Sequence, residues 1–547
     1  MTLDAVSLEV LRNRLEGIAE EMGHVLIHGA YSPNIKERRD CSTALFDAEG
    51  KMVAQAEHIP VHLGAMPEAV QAVRKRDPEP GEAYVLNDPF TGGTHLPDVT
   101  IVAPIDVDGE VLGYGVTRAH HGDVGGMSPG SMPAGATEIY QEGLRLPPTR
   151  LVVDGEIDSN VLELVLANVR NPAERRADLR AQLAATDRAR DRVRELVAER
   201  GRASLQAAFD GVIEYSRDRI EAELEAIPDG TYRGRDWLEG DGVEESTIPL
   251  EVAVTVDGTT VDVDFAGTAA QVAGNMNAPL AVARSAVYFV LRAVTDPDIP
   301  PNDGCYQPVT VRAPAGSVLN PNRPAAVVGG NVETSQRVTD VVLSAFAEAV
   351  PERVPAQSQG TMNNLIIGSR GADGFTYYET IGGGFGARPD RDGVDGVQVG
   401  MTNTLNTPIE ALEAAYPMRV ERYAFRAGSG GDGRYRGGLG LERSISVEAD
   451  ATVSLLTERR RFAPRGTSGG ADGATGENRI DGTVVPAKTT VDVEAGTTVT
   501  VETPGGGGYG DPSERDSSAR ERDALDGKSV ARKSARSGEP GTQGSRE

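Results

Sequence analysis

No histidine follows His121. All seven lie within the first 121 residues of a 547-residue chain, so imidazole chemistry is confined to its N-terminal region. Cysteine is almost missing. Cys41 and Cys305 cannot build a disulfide framework, and neither sits in the CxxC spacing of a zinc ribbon. No run approaches the roughly 20 apolar residues of a membrane helix, which argues against a membrane protein. The N-terminal MTLDAVSLEVLRN has neither the basic nor the apolar region of a secretion signal. A cytoplasmic protein is expected.

Lysine is also scarce. Only Lys36, Lys51, Lys75, Lys488, Lys528 and Lys533 occur, so arginine supplies most of the 55 basic residues. Against them stand 82 acidic residues, for a net charge of -27. Such a chain has little to neutralise phosphates with, which excludes nucleic acid as a main partner, and an anionic membrane surface likewise. An acidic, lysine-poor surface fits a cytosol of very high salt. GC-rich codon usage is the alternative source of the arginine bias.

The length implies several domains. From Ser7 to about His28, apolar residues recur at helical spacing (Leu8, Leu11, Leu15, Ile18, Met22, Val25), with Ser7 a candidate N-cap. CSTALFDAEGKMVAQ then reads as a hairpin, AYVLNDP as a strand, and VTIVAPIDVDGEVLGYGVTRAH as two strands turned at Asp108-Gly109. The fold class is α+β and multidomain. Residues 1–165 form a mixed N-terminal region and 166–230 a helical hairpin. Residues 231–512 are β-rich, interrupted by the helix SAVYFVLRAVT and by glycine-rich loops. Residues 513–547 are a charged tail expected to be disordered.

Chemistry concentrates in NDPFTGGTHLPDV (87–99) and RAHHGDVGG (118–126). His24 and His28 have i, i+4 spacing on the first helix and are read as ordinary surface or core histidines. His58 and His62 flank Pro60, so they stand on an irregular segment rather than on a helix face. Asp98 heads one strand and His120 ends the next. Antiparallel pairing across Asp108-Gly109 brings His95, Asp98 and His120 together. Two imidazoles and a carboxylate with open positions are the ligand set of a catalytic zinc, iron or manganese; Asp40 is a candidate fourth ligand. FTGGT lacks the lysine of a phosphate-binding P-loop, and no GxSxG nucleophile elbow occurs.

Taken together, KERRDCSTALFDAEG, AQAEHIPVHLGAMP, LNDPFTGGTHLPDV, TRAHHGDVGGMSPGSMP, QEGLRLPP, LANVRNPAERRADLRAQ and GGGGYGDP resemble the hydantoinase B/oxoprolinase family over residues 1 to about 512. This family includes the B-type component of ATP-dependent N-methylhydantoinases, the C-terminal half of 5-oxoprolinase and a component of acetone carboxylase. The resemblance implies a hetero-oligomer in which a hydantoinase A-type ATPase partner uses ATP to phosphorylate the substrate's carbonyl oxygen. The present chain would then complete hydrolysis of a cyclic amide at a divalent metal (zinc first, manganese or iron otherwise). The family's metal ligands match His95, Asp98 and His120, and a further aspartate matches Asp40. His121 or Asp123 would act as general base or would position His120, and His58 and His62 would donate to substrate or phosphate oxygens. Cys41 departs from the family pattern, where a bulkier apolar residue is expected. The alternatives are a component of an ATP-dependent ketone carboxylase and a non-catalytic structural component.

Overall fold

The computed structural model describes residues 3–369 and 374–529. The first helix runs Ala5–Gly29 and buries Leu11, Leu15, Ile18, Met22 and Leu26, one stripe at three- and four-residue steps. Each such side chain stabilises the fold by about 1.5–3 kcal/mol. Its N-cap is Asp4, not the expected Ser7. The Asp4 carboxylate accepts from the Val6 and Ser7 amides, and the Ser7 hydroxyl donates back to it.

This helix packs on a seven-stranded sheet. Its strands are β1 (Cys41–Asp47), β2 (Met52–Glu57), β3 (Ala83–Leu86), β4 (Asp98–Val107), β5 (Glu110–His120), β6 (Thr149–Val153) and β7 (Glu156–Ile157), in the order β2-β1-β5-β4-β3-β6-β7. All neighbours are antiparallel. The β4–β5 hairpin turns at Asp108-Gly109, both at positive φ, as the sequence predicts. One face carries Leu45, Ile105, Leu112 and Ala119. It is covered by the first helix and by the helix Pro172–Arg200, which presents Ala181, Ala185 and Ala189. The other face, with Phe46, Val102, Tyr114 and Val116, joins the core of the second half of the chain.

That second half contains a four-stranded sheet from β8 (Gly230–Glu239), β9 (Thr247–Asp257), β10 (Thr260–Asp264) and β11 (Val309–Arg312), backed by helices Leu280–Val294 and Ser335–Ala349. One turn of π-helix, Gly330–Thr334, precedes the latter. Further sheets follow, one of which contains β12 (Asn364–Gly368) and β13 (Thr376–Thr380). The glycine-rich loops IGGGFG, RGGLG and PGGGGYG lie against one another at backbone distance. A Cβ on Gly384 would stand 2.1 Å from the Gly506 amide, and one on Gly437 2.0 Å from the Gly506 carbonyl. These glycines therefore serve close packing, consistent with the absence of a nucleotide motif.

The expectation of a structureless tail from 513 is corrected in part. Ser517–Leu525 is a helix capped by Asp516, and Arg515 clasps Asp392 and Asp523, tying it to the fold. The rest of the expected tail, 530–547, lies outside the described residues.

Candidate metal centre

Asp98 and His120 are direct partners at the open end of the β4–β5 hairpin. Opposite residues of an antiparallel pair point to the same face, so Asp98 Oδ1 comes within 3.3 Å of His120 Nδ1. The turn before β4 delivers His95, whose Nε2 is 3.0 Å from the same oxygen. That turn is held in place by backbone contact. Gly92 adopts φ +98°, and a Cβ on Gly93 would meet the Asn87 carbonyl oxygen at 2.2 Å. The Asn87 side chain pins it further by donating to the Leu96 and Leu144 carbonyls and accepting from the Leu146 amide. Asp88 accepts from the Phe90 amide and lies 3.3 Å from Arg323, a structural role in the same loop.

His95, Asp98 and His120 are all buried, and one ligand atom from each lies within 4.8 Å of the others. Burial works to raise the Asp98 pKa, but the three surrounding histidines, His95, His120 and His62, hold it well below the usual carboxylate range. Burial lowers the pKa of His120 against the opposing effects of Asp98 and Asp40, which favours the neutral form that can ligate a metal. His95 Nδ1 is buried without a hydrogen-bond partner, and Nε2, although 3.0 Å from Asp98 Oδ1, makes no well-aligned hydrogen bond to it. Leaving such groups unsatisfied is costly, and a cation between His95, Asp98 and His120 would take one nitrogen of His95 as a ligand. The residues present thus fit a divalent metal. Thr94 Oγ1 donates to Asp98 Oδ2 at 2.9 Å, and Asn331 Nδ2 approaches it at 3.4 Å, orienting the carboxylate.

Asp40 lines the same small cavity, which has room for a water-sized occupant of about 20 Å³. Its carbonyl accepts from the His120 amide, but its carboxylate is outside the tight group of three. His62 reaches the cavity too. The helical turn Pro60–His62 aims its Nε2 at Asp98 Oδ2, 3.5 Å away, while Nδ1 is held by Ser42 Oγ at 2.9 Å.

The other histidines and Asp123 stand apart. His121, one residue past the strand, turns to the helix-covered side, where Nε2 meets Gln182 Oε1 at 2.9 Å; burial pushes its pKa down to about 4. The Asp123 carboxylate accepts from the amides of Gly125, Gly130 and Arg170 and pairs with the Arg170 guanidinium. It folds a loop. His58 leans on the first helix at Gly23 and contacts the Cys41 carbonyl. His24 and His28 are exposed, as expected of surface histidines.

Distant residues that carry no local signal complete the cavity wall. Asn331 comes from the π-helical turn, an irregularity frequent at functional sites. Tyr378 stacks on His120, and Thr380, Thr402 and Thr404 line the cavity beside it. The loop VVGGNVETSQ stands out in the sequence only for its glycines. A Cβ on Gly330 would stand 1.9 Å from the Asn277 carbonyl, which is the packing that brings Asn331 in.

Comparison with known proteins adds independent information. The family model described as hydantoinase B/oxoprolinase matches residues 4–512. The chain is 40% identical to 5-oxoprolinase 1 of Arabidopsis thaliana, over 93% of this chain but 42% of that protein. It is 31% identical to the B-type component of a putative D-/L-hydantoinase of Pseudomonas sp. (strain NS671), over 96% and 93% of the two chains. The crystal structure of the ATP-dependent caprolactamase from Pseudomonas jessenii superposes with a TM-score of 0.90 at 29% identity, covering 97% of this chain and 95% of that one. The chain spans less than half of the long 5-oxoprolinase yet nearly all of the hydantoinase component. It belongs to the hydantoinase B/oxoprolinase family.

Proposed function

We propose that this chain is the B-type component of an ATP-dependent cyclic-amide hydrolase of the N-methylhydantoinase or 5-oxoprolinase type. It works in the cytoplasm, in a hetero-oligomer with a hydantoinase A-type ATPase partner that phosphorylates the carbonyl oxygen of the substrate. The observation that carries this reading is the buried group of His95, Asp98 and His120, whose ligand atoms lie within 4.8 Å of one another. Relatives named as a 5-oxoprolinase and as one component of a hydantoinase support the reaction class and the need for a partner. The acidic, lysine-poor composition supports a cytosol of high salt.

An amide is resonance-stabilised, and neutral water attacks it poorly. Phosphorylation of its oxygen makes the carbon electrophilic and creates a leaving group. A divalent ion held by His95, Asp98 and His120, with Asp40 as the fourth candidate, would lower the pKa of a water from 15.7 to about 7. Zinc suits this ligand set first, with manganese or iron as alternatives. The protein's own part is orientation and proton handling. Thr94 and Asn331 fix the Asp98 carboxylate. His62, anchored through Nδ1 to Ser42, presents Nε2 to the cavity and is the group placed to accept or return a proton there. His121 and Asp123 are occupied elsewhere.

Elemental analysis of the purified chain, followed by an ATP-dependent hydrolysis assay of hydantoin and 5-oxoproline with the co-expressed ATPase partner, tests this. Stoichiometric metal and turnover are expected. A chain with no metal affinity sinks the reading, and incorporation of labelled bicarbonate in place of hydrolysis would transfer it to a carboxylase.

A further inference from the structure

Two arginines next to the candidate metal centre are fully buried, and among the described residues neither forms an ion pair with a carboxylate. Arg38 is 0% exposed. Its Nη1 donates to the Tyr378 carbonyl at 2.7 Å and its Nη2 to Thr380 Oγ1 and Thr404 Oγ1, at 2.9 and 3.3 Å. Arg118 is likewise 0% exposed. It lies on β5 two residues before His120, on the same face; Nε donates to Thr100 Oγ1, Nη2 to the Gly92 carbonyl, and Nη1 has no partner. Among the described residues no carboxylate lies within ion-pair distance of either guanidinium. A buried charge without a counter-ion is rare because desolvation is expensive. Asp40 and Asp98 line the cavity, where a divalent ion would neutralise both; Glu68, which also acts on Arg118, is already paired with Arg284. The two guanidinium charges would then face an anion-sized deficit.

The hydroxyl pair beside Arg38 gives that deficit a direction. A threonine hydroxyl offers one hydrogen and two lone pairs. Both Thr380 Oγ1 and Thr404 Oγ1 accept from Arg38, so their hydrogens point away from it; Gln398 Nε2 also approaches Thr380 Oγ1 at 3.5 Å. The two oxygens are 2.6 Å apart, which uses one hydrogen in the bond between them. The second has no acceptor among the described residues, and both threonines line the metal cavity. The wall therefore presents a donor backed by a buried cation, a receptor for an oxyanion.

We propose that Arg38, Thr380 and Thr404 form the subsite for the phosphoryl group of the activated substrate, with Arg118 supplying further positive potential. This deepens the proposed function and rests on it. Opening the ring takes two waters. The first adds to the activated carbon and the carbon–nitrogen bond breaks, the nitrogen leaving with its electron pair and taking a proton. The second attacks the resulting acyl phosphate, and the subsite holds the phosphate as that carbon–oxygen bond breaks, the departing oxygen keeping the electron pair.

The experiment measures binding of inorganic phosphate, as the released product, to the metal-loaded full chain by calorimetry. Wild type, Thr404→Val, Thr380→Val and Thr404→Ser are compared, with metal content determined for each. Phosphate should bind wild type and Thr404→Ser comparably, and either valine variant at least about 10-fold more weakly, at unchanged metal stoichiometry. Metal uptake without phosphate binding, or equal binding by the valine variants, overturns the subsite and leaves the metal-dependent hydrolase reading standing. Absence of metal uptake overturns both. Phosphate binding as expected, with no amide hydrolysis by the assembled enzyme, supports the subsite and removes the hydrolase reading.

Discussion

Tyr378 lies against His120, with ring centroids 4.7 Å apart and planes inclined by 24°. Its hydroxyl donates to Asn364 Oδ1 at 2.9 Å, and Asn364 Nδ2 in turn donates to the buried Glu333. The plane of the His120 imidazole, a candidate metal ligand, is thus set by a residue from the second half of the chain. Groups that orient a ligand ring typically matter 10- to 100-fold for metal affinity. Tyr378→Leu should weaken metal binding by about that factor, and Tyr378→Phe, which keeps the stacked ring, by much less. A chelator competition titration reads both. Equal affinities for wild type and the leucine variant would reduce Tyr378 to a packing role.

His120 and His62 should separate cleanly. His120→Ala removes a ligand and should lose both metal and turnover. His62→Ala should keep its metal, because Nε2 approaches only Asp98 among the site's ligands, but lose turnover by about 10²- to 10⁴-fold. Metal content by elemental analysis, measured beside the rate of the assembled enzyme, distinguishes them. Unchanged turnover in His62→Ala would remove it from the proton path.

Two glycines should respond in opposite directions to alanine. At Gly93 a Cβ would collide with the Asn87 carbonyl carbon and oxygen, which are backbone atoms and cannot step aside. Gly93→Ala should distort the His95 turn, lowering the melting temperature and the metal content together. At Gly17, inside the first helix, a Cβ meets nothing within 4 Å. Gly17→Ala should stabilise by about 0.5–1 kcal/mol, seen as a higher melting temperature with metal content unchanged.

His121 carries the clearest pH dependence. Burial pushes its folded pKa down to about 4, whereas unfolded histidine titrates near 6.5. Between those values the unfolded chain binds the extra proton, so stability rises with pH there. The contribution of His121 is present above about pH 6.5 and lost as the pH falls towards 4. His121→Gln should flatten that part of the stability profile in denaturant titrations made at successive pH values. An identical slope in wild type and variant would place the acid sensitivity in other groups.

Periodicity and turn chemistry are local, and what depends on them was legible in the sequence. The apolar stripe of the first helix, the Cys41–Glu57 hairpin and the Asp108-Gly109 turn all form as the residue pattern predicts. Because strand partners of a hairpin share a face, the register that joins Asp98 to His120 follows from the turn, and His95 follows from its place three residues before Asp98. The same alternation carries His121 away from the candidate metal ligands, while His58 is held by the Cys41 carbonyl and the first helix. His121 neighbours His120 in sequence but leaves the strand end on the opposite side, against Gln182, and Asp123 has its oxygens filled by the amides of its own loop.

Only the tertiary structure decided the rest of the site. Asn331, Tyr378, Thr380 and Thr404 reach the cavity because the second half of the chain packs its core on the far face of the first sheet. That neither Arg38 nor Arg118 has a carboxylate within ion-pair distance among the described residues is a property of that packing as well. A sequence specifies directions along its own strands and helices, which is why three candidate metal ligands could be placed on one hairpin. Which remote side chains surround them depends on how separate layers meet, through contacts between residues hundreds of positions apart.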